Sequence, residues 1–312
     1  MKVCMFGSGG VGGYFGARLV QAGVDVTFVA RGKHRSTMLN NGLRVSGISG
    51  DLHLQSVTVV EDPKENGPYD LVFLAVKAWQ VEDAAKKLIG TLSDSASVVP
   101  LQNGVEAPEQ LAQLLGEEKS LIGLCGIVSF LKEPGQIFHA GLDPFIQIGE
   151  LDGTSGKRVD NIIALLNSAA GLTATAPEDV RVSHWLKFIF IVTMSGIGSV
   201  TRAPIGITRE DTEIRKLMEE CANEVYSVGC AHGIALPSDA VERTMNTIDS
   251  APAEATASMQ RDIMADKPSE LYSQNAAVVR LGKSVNVDTP VNKFISTALV
   301  PLENRARGLL EF

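Results

Sequence analysis

The sequence predicts an α/β protein in which an N-terminal, doubly wound parallel sheet is followed by a mainly α-helical C-terminal domain. Short apolar runs alternate with helical patterns through the first half, and strand signals nearly vanish after residue 177. Strands that alternate with helices are typical of a parallel sheet covered by helices on both faces. The length of 312 residues exceeds what one hydrophobic core usually organises. We therefore expect two domains, at residues 1–178 and 179–312.

A βαβ unit opens the chain. The apolar run at residues 2–6 stops at a glycine, and a second apolar run follows at residues 24–30. Apolar side chains with helical spacing fill the segment between the two runs, at Val11, Phe15, Leu19 and Ala22. Together these segments predict strand, helix and strand within about 30 residues.

Further elements follow from the same patterns. Residues 71–76 and 97–101 are short apolar runs, each followed by a helical pattern, and they predict two more buried strands. Between residues 121 and 150, shorter β-like pieces with Gly and Pro indicate extra strands at the edge of the sheet. In the second half, the pattern predicts helices at residues 182–200, 213–232, 238–247, 255–265 and 290–307.

Charge and hydropathy exclude several classes of function. A formal net charge of −8 provides no electrostatic basis for binding nucleic acid. No apolar run reaches the roughly 20 residues that span a bilayer, so we expect no membrane partner. The N-terminal run has a single Lys and no small-residue cleavage site, which favours a strand in a cytoplasmic protein over a signal peptide. Exposed helix faces could support a homodimer, although apolar stripes more often belong to a core.

The cysteines show neither a disulfide framework nor a metal site. None forms a Cys-x-x-Cys pair or a Cys/His spacing that would bind zinc. We expect no metal and four buried free thiols, at Cys4, Cys125, Cys221 and Cys230.

A glycine-rich segment between the first strand and the first helix predicts a dinucleotide-binding (Rossmann) domain. It fits the pattern G-x-G-x-x-G and consists of Gly7, Ser8, Gly9, Gly10, Val11 and Gly12. Gly7 would permit the tight turn, Gly9 would let the backbone approach a pyrophosphate, and Gly12 would let the helix pack on the strand. The pattern alone also fits a merely tight glycine turn, but its place in a βαβ unit favours cofactor binding.

Arg31 favours NADP over NAD as the cofactor. NAD-binding domains usually end the second strand with Asp or Glu, which accepts hydrogen bonds from the ribose hydroxyls. Here that strand ends with Ala30 and Arg31, and a guanidinium pairs well with a 2′-phosphate. The alternative is a solvated surface arginine.

Two polar residues directly follow predicted strands and are candidate ligand contacts. Lys77 follows the strand at residues 71–76, and Asn103 follows the strand at residues 97–101. Ligands of open parallel sheets bind outside the carboxyl ends of the strands. Either residue could instead be an ordinary loop residue, and Asn103 followed by Gly also favours a turn.

Lys187 is the candidate general acid. Helical spacing places it in one row with Ile191 and Ser195, in an otherwise apolar stretch. An ammonium is costly to bury there unless it meets a partner or a cleft, so the side chain either snorkels to the surface or is functional. Reduction of a ketone by hydride needs a proton donor at the carbonyl oxygen, and a lysine in a dry cleft can supply it.

Together these residues resemble the ketopantoate reductase (2-dehydropantoate 2-reductase) family over the whole chain. The residue pattern alone would not single out Ser258 and Glu270, because Ser269-Glu270 also fits a plain helix start. The resemblance implies a Rossmann domain, a helical domain, and NADPH-linked reduction of a 2-oxo acid, most often ketopantoate to pantoate in pantothenate biosynthesis. It rests on the glycine-rich segment, Arg31, Lys77, Gln102-Asn103-Gly104, Pro134-Gly135 to His139, Trp185, Lys187, Ser258, Glu270 and Asn275.

The resemblance also implies a role for each candidate. Lys187 would be the general acid, and Glu270 would orient it or hold the nicotinamide ribose. Ser258 would bind the substrate carboxylate, beside Ile191 and Ser195. The cofactor would be held by the glycine-rich segment, by Arg31 at its 2′-phosphate, by Lys77 near its nicotinamide end, and by Asn103, which would also contact the substrate.

Three positions depart from the family's pattern. Ile191, Ser195 and Ile205 stand where members that reduce ketopantoate typically carry Asn. Each lost hydrogen bond weakens binding by about 1–3 kcal/mol, so two losses would reduce ketopantoate affinity roughly a hundredfold or more. Either other donors replace the amides, or the substrate is a 2-oxo acid with a more apolar side chain. A non-catalytic NADP-binding sensor is a third interpretation, which Lys187 and Glu270 disfavour.

Overall fold

The computed structural model describes residues 1–312, which form two compact units. The first unit consists of Met1–Gln102 and Glu106–Arg181, and the second of Asn103–Val105 and Val182–Phe312. No sequence pattern indicated that the short segment Asn103–Val105 belongs with the second unit.

The first unit holds all the strands and the first five helices. The strands are β1 (Val3–Phe6), β2 (Val26–Val29), β3 (Leu43–Gly47), β4 (Leu52–Leu54), β5 (Thr58–Val60), β6 (Tyr69–Leu74), β7 (Leu92–Pro100), β8 (Ile122–Glu133), β9 (Gln136–Gly149) and β10 (Thr173–Thr175). The helices are α1 (Gly10–Gln21), α2 (Gly32–Asn41), α3 (Val81–Leu88), α4 (Ala107–Leu115) and α5 (Lys157–Asn167).

A parallel sheet organises this unit and confirms the predicted fold class. Its strand order is β5-β2-β1-β6-β7, and every pairing within it is parallel. Strand β1 is buried on both faces, because Val3 and Met5 enter one hydrophobic cluster while Cys4 and Phe6 enter another. A strand covered on both sides has no polar face, which is why it reads as a continuous apolar run.

The strands between residues 121 and 150 correct the prediction of extra strands at the edge of that sheet. Strands β8 and β9 form a long antiparallel hairpin in a second sheet, whose order is β10-β9-β3-β4 with β8 paired to β9. Only an isolated bridge between Val98 and Ser120 joins the two sheets in backbone pairing. Strand β9 pairs with β8 on one side and with β3 and β10 on the other, so its backbone groups are used within this second sheet.

Register in the parallel sheet determines which loops leave it side by side. Phe6 at the end of β1 lies opposite Val29 of β2 and Leu74 of β6. The residues that follow these strands therefore emerge at one edge. They are the glycine-rich segment, Arg31 and Lys77, respectively.

Helices build the second unit. They are α6 (Val180–Thr201), which begins at the end of the first unit, α7 (Ile205–Glu210), α8 (Thr212–Ala231), α9 (Ala240–Ser250), α10 (Ser258–Met264), α11 (Asn275–Ser284) and α12 (Pro290–Ala306). Helices α6, α8, α9 and α12 correspond closely to predicted helices, whereas α7 and α11 were not predicted. Phe188, Ile189 and Val192 of α6 lie at the centre of the unit's hydrophobic core.

Helix α6 is long and apolar enough, by length and composition, to cross a membrane. Its most apolar 18-residue window has a mean hydropathy of 1.2, and 56% of that window is buried within the protein. The core helix of a water-soluble domain passes the same test, so the helix is weak evidence for a membrane span.

Helix α10 is shorter than the predicted helix at residues 255–265. The Ala255 N–H donates to the Pro252 carbonyl (2.9 Å), and the Ala255 carbonyl accepts from the Ile205 N–H (3.0 Å). These bonds hold Ala255 in a turn, so the helix begins only at Ser258.

Cys230 corrects the expectation of four buried thiols. All four cysteines are free, and three are buried, but Cys230 is exposed. On α8 the buried face contains Cys221, Val225 and Val228, and Cys230 lies off that face.

Candidate active site

The glycine-rich segment has the close packing that its pattern predicts. Gly7 has a positive φ of +100°, and a methyl group on Gly12 would lie 2.0 Å from the Gly7 carbonyl oxygen. Gly10 is equally restricted, because a methyl group there would lie 2.4 Å from the Ser129 carbonyl oxygen. Around Gly9, in contrast, a methyl group would meet nothing within 4 Å. The backbone at Gly9 therefore faces open space that a ligand could approach.

Backbone donors face this open space. Helix α1 begins at Gly10 with Gly9 as its N-cap, and its first turn contains no acidic residue. The amides of Gly9, Gly10 and Val11 donate no hydrogen bond within the protein. Free amides at a helix N-terminus bind phosphate groups well, because the helix dipole adds positive potential. The segment thus fits the pyrophosphate of a dinucleotide.

Arg31 lies at the predicted place beside this segment. It follows β2 as the N-cap of α2 and is exposed. Residues 31–41 contain further cations at Lys33 and Arg35 and no carboxylate. The start of α2 therefore carries a net positive charge of its own, while Glu61 and Asp62 follow the neighbouring strand β5 at the same edge.

Lys77 follows β6 and is half-buried, with its ammonium 5.9 Å from the centre of the Trp79 ring. The neighbouring Gln102 is buried, and its amide donates to the carbonyls of Leu74 (2.7 Å) and Val76 (3.0 Å). Gln102 thus fixes the chain just before Lys77. Gln102 belongs to the family resemblance described above, but no sequence pattern indicated its hydrogen bonds.

In the second unit, Asn103 and Glu270 meet across 167 residues of sequence. The Asn103 amide donates to the Glu270 carboxylate, with Nδ2 and Oε2 separated by 3.3 Å. Glu270 is buried and occupies the N-cap position of a single 3₁₀ turn, Leu271–Ser273, without a capping hydrogen bond from its side chain. The plain helix start that Ser269-Glu270 also fits is not observed, because α11 begins only at Asn275. The structure thus brings two of the candidate residues together.

A buried ion pair holds the turn that carries Glu270, and sequence reasoning missed it. The Ser269 N–H donates to both carboxylate oxygens of Glu303 (3.1 and 3.0 Å). Arg307, the residue that directly follows α12, donates to the same carboxylate (Nε to Oε1, 2.6 Å). The available signal was the spacing of Glu303 and Arg307, which places them on one side of a helix.

Lys187 lies in the middle of α6 and is half-buried. Its ammonium forms no hydrogen bond or ion pair within the second unit. His184, one turn earlier, is buried, and its pKa is lowered to about 4, first by burial and second by the positive charge of Lys187, although a hydrogen bond to the Gly104 backbone opposes this. The ring is therefore neutral, and the only charge on this part of α6 is the ammonium.

The remaining candidates differ in exposure. Ile191 is half-buried and is not part of the hydrophobic core, whereas Ile205 is a buried core residue. Ser195 is 1% exposed. Ser258, the first residue of α10, is half-buried and forms no hydrogen bond. Ile191 and Ser258 are thus more accessible than Ile205.

Comparison with known proteins identifies the family that this chain resembles. Residues 3–153 match the family model described as ketopantoate reductase PanE/ApbA, and residues 179–303 match the model of its C-terminal part. A 2-dehydropantoate 2-reductase from Archaeoglobus fulgidus is 30% identical over 293 residues, covering 94% of this chain and 94% of that protein.

Solved structures show the same fold. The crystal structure of a PanE/ApbA family ketopantoate reductase from Ralstonia eutropha is 27% identical, with a TM-score of 0.88, and the match covers 98% of this chain and 100% of that one. A D-mandelate dehydrogenase, solved with NADH and anilino(oxo)acetate, has a TM-score of 0.89 at 21% identity, covering 98% and 100% of the two chains, and shows the fold alone. Both units match family models in order, so the chain belongs to the ketopantoate reductase family of NADP-dependent oxidoreductases.

Proposed function

We propose that this enzyme reduces ketopantoate to pantoate with NADPH, in the synthesis of pantothenate. Family membership supports NADPH-linked reduction of a 2-oxo acid, and the 30% identical relative is named for the ketopantoate reaction. The observation that carries the chemical part of the proposal is the ammonium of Lys187, which is half-buried on an apolar helix and has no partner within its unit.

Lys187 is the general acid of the proposed reaction. Bound NADPH supplies a hydride to the carbonyl carbon of the 2-oxo acid. Lys187 donates its proton to the carbonyl oxygen as negative charge develops there, which yields the hydroxyl of the product. Its positive charge also stabilises the developing alkoxide, most strongly where water is excluded.

Glu270 and Asn103 act as a pair. Their hydrogen bond orients the Asn103 amide, and the ion pair at Glu303 fixes the turn on which Glu270 lies. We assign Glu270 to orient Lys187 or to hold the nicotinamide ribose, and Asn103 to contact cofactor and substrate. Ser258, which is half-buried with a free hydroxyl, binds the substrate carboxylate.

The first unit binds the cofactor. The free amides of Gly9, Gly10 and Val11 hold the pyrophosphate, and Arg31 binds the 2′-phosphate. Lys77 lies near the nicotinamide end. We place the reaction in the cytoplasm, with a small 2-oxo acid as the only partner besides the cofactor.

One observation favours a second substrate class. Ile191 is half-buried outside the core, so an isoleucine and not an amide is available at that position. A pocket with this side chain would suit a 2-oxo acid with an apolar side chain. The D-mandelate dehydrogenase shares this fold, so the fold itself is compatible with such substrates.

A matched pair of substrates separates these alternatives. Trimethylpyruvate has the same carbon skeleton as ketopantoate and lacks only its hydroxyl. We expect kcat/KM, followed by the loss of NADPH absorbance, to be about tenfold or more higher for ketopantoate, because a satisfied hydroxyl contributes roughly 1.4 kcal/mol. A ratio near or below one would overturn ketopantoate as the substrate in favour of an apolar 2-oxo acid. Absence of NADPH consumption with every 2-oxo acid would overturn the reductase assignment.

A further inference from the structure

We propose that His34 is a positioning residue for the cofactor, which holds the glycine-rich segment in the conformation that binds the pyrophosphate. The inference rests on NADP binding and does not depend on which 2-oxo acid is reduced. His34 lies on α2, in the first unit, and belongs to none of the cofactor contacts assigned above.

Both ring nitrogens of His34 are hydrogen-bonded to backbone. Nε2 lies 2.7 Å from the Ser8 carbonyl oxygen, and the Gly135 N–H donates to Nδ1 (2.9 Å). A backbone N–H can only donate and a carbonyl can only accept, so Nδ1 carries no proton and Nε2–H donates to Ser8. A neutral imidazole in this one tautomer satisfies both partners. Burial lowers the pKa of His34, which favours the same neutral form.

The bond to Ser8 acts on the amide that the pyrophosphate needs. The Ser8 carbonyl and the Gly9 N–H belong to one planar trans peptide, so they point in opposite directions. Since His34 holds the carbonyl, it also directs the Gly9 N–H towards the open space in front of the segment. The Ser8 hydroxyl donates to the Val29 carbonyl (2.9 Å) and fixes the other side of the residue.

The bond to Gly135 anchors the ring. Gly135 is buried in the turn between β8 and β9, with a positive φ of +75°, and its carbonyl accepts from the Arg44 N–H of β3 (2.9 Å). A methyl group on Gly135 would lie 2.7 Å from Cγ2 of Thr37 on α2. The imidazole is therefore held between the glycine-rich segment and the second sheet, and it is not a freely rotating surface side chain.

His34 and Arg31 make different predictions, although both lie at the start of α2. The pyrophosphate is common to NADPH and NADH, whereas the 2′-phosphate is present only in NADPH. Loss of the His34 hydrogen bonds should therefore raise the Kd of NADPH and of NADH by the same factor. Loss of the Arg31 guanidinium should raise the Kd of NADPH alone.

Two conservative variants separate the two hydrogen bonds. In His34→Gln, the amide nitrogen can take the place of Nε2 and donate to Ser8. In His34→Asn, the shorter side chain can place an acceptor near Nδ1 for Gly135 but cannot reach Ser8. His34→Leu removes both bonds. The Kd of NADPH and of NADH is measured for each variant by the fluorescence of the reduced nicotinamide, without substrate, and each variant is also melted thermally.

We expect His34→Gln to bind both cofactors within about threefold of the wild type, and His34→Asn to bind both about fivefold to tenfold more weakly, the size of one lost hydrogen bond. In turnover, the KM for NADPH should rise, with kcat and the KM for the 2-oxo acid unchanged. Wild-type affinity in His34→Asn would overturn the proposal, as would weaker binding of NADPH alone. The Gln and Asn variants remain informative even if His34→Leu does not fold.

Discussion

The ammonium of Lys187 is the single group on which the proposed chemistry depends most. In Lys187→Met the side chain remains unbranched and loses its terminal ammonium, and with it the proton and the charge, while α6 around it is already apolar. We expect kcat to fall by about 10²- to 10⁴-fold, the usual contribution of a general acid, while the Kd of NADPH stays within about twofold. Lys283→Met, at an exposed position on α11, is the matched control. Turnover comparable to the wild type in Lys187→Met would remove this lysine from the acid role.

Arg31 is the residue that we propose selects NADPH over NADH. Arg31→Gln removes the guanidinium from an exposed N-cap position, so the fold should be unaffected. We expect the Kd of NADPH to rise about tenfold or more and that of NADH to change little, because a charge-assisted hydrogen bond to the 2′-phosphate contributes about 1.5–3 kcal/mol. Arg44→Gln, also exposed and in the same unit, should bind both cofactors normally. Equal weakening of NADPH and NADH in Arg31→Gln would contradict the assignment.

Single functional residues could be predicted where neighbouring residues in the sequence explain them. Residues whose partners lie far along the chain could not be predicted. The glycines from Gly7 to Gly12 could be interpreted because a strand and a helix flank them. Glu270 could not be singled out from the pattern, because its partner Asn103 lies 167 residues away and its support at Glu303 lies on another helix. From the sequence, His34 is only one of the basic residues near Arg31; its hydrogen bonds could not be predicted, because both are to distant backbone groups.

The glycines of the glycine-rich segment differ in how well each would tolerate substitution by alanine. In Gly9→Ala the new methyl group would meet nothing within 4 Å, and the N-cap φ of −71° suits alanine. We therefore expect Gly9→Ala to keep the wild-type Tm and to bind NADPH about tenfold or more weakly, because the methyl group occupies the space for the pyrophosphate. In Gly12→Ala, a contact of 2.0 Å with the Gly7 carbonyl oxygen should lower the Tm itself. Normal NADPH affinity in a folded Gly9→Ala would refute the pyrophosphate site.

Helix α6 should make the second unit sensitive to acid. His184 has a folded pKa of about 4 against an ordinary value of 6.5, so between these values the unfolded chain binds a proton that the folded chain does not. Stability is therefore fully retained above pH 6.5 and falls as the pH drops towards 4, by up to about 3 kcal/mol.

Thermal melts between pH 7 and pH 5 test this pH dependence. His184→Gln has no titrating ring, so its Tm should fall less between pH 7 and pH 5 than the Tm of the wild type. His53→Gln, at an exposed position in the first unit, should behave like the wild type. Parallel curves for His184→Gln and the wild type would show that folding does not lower the pKa of His184.

Helices and strands could be predicted where the apolar periodicity of their own sequence determines them. Helix α6 has an apolar pattern over its whole length, and its predicted and observed ends nearly coincide. The hairpin of β8 and β9 was recognised as β-structure but placed in the wrong sheet, because its pairing with β3 joins segments far apart in sequence. Helix α10 was predicted too long, since the backbone bonds that hold Ala255 in a turn come from Ile205 and Pro252.

The whole molecule follows from the alternation of strands and helices in its first half and the loss of strand signals in its second. The parallel sheet with loops emerging at one edge explains why the proposed cofactor contacts cluster after β1, β2 and β6. The helical unit contributes the remaining candidates, Lys187, Glu270, Ser258 and Asn103. The substrate's side chain is the feature that the fold determines least, because related chains of one fold differ in a few pocket residues.

Transfer of deuterium tests the central claim most directly. NADPH carrying deuterium at both C4 positions is incubated with the wild-type enzyme and ketopantoate, and the product is examined by mass spectrometry. We expect pantoate with a single deuterium at C2, and no labelled product from Lys187→Met on the same timescale. Pantoate without deuterium, or no product while NADPH is bound, would contradict hydride transfer to ketopantoate by this enzyme.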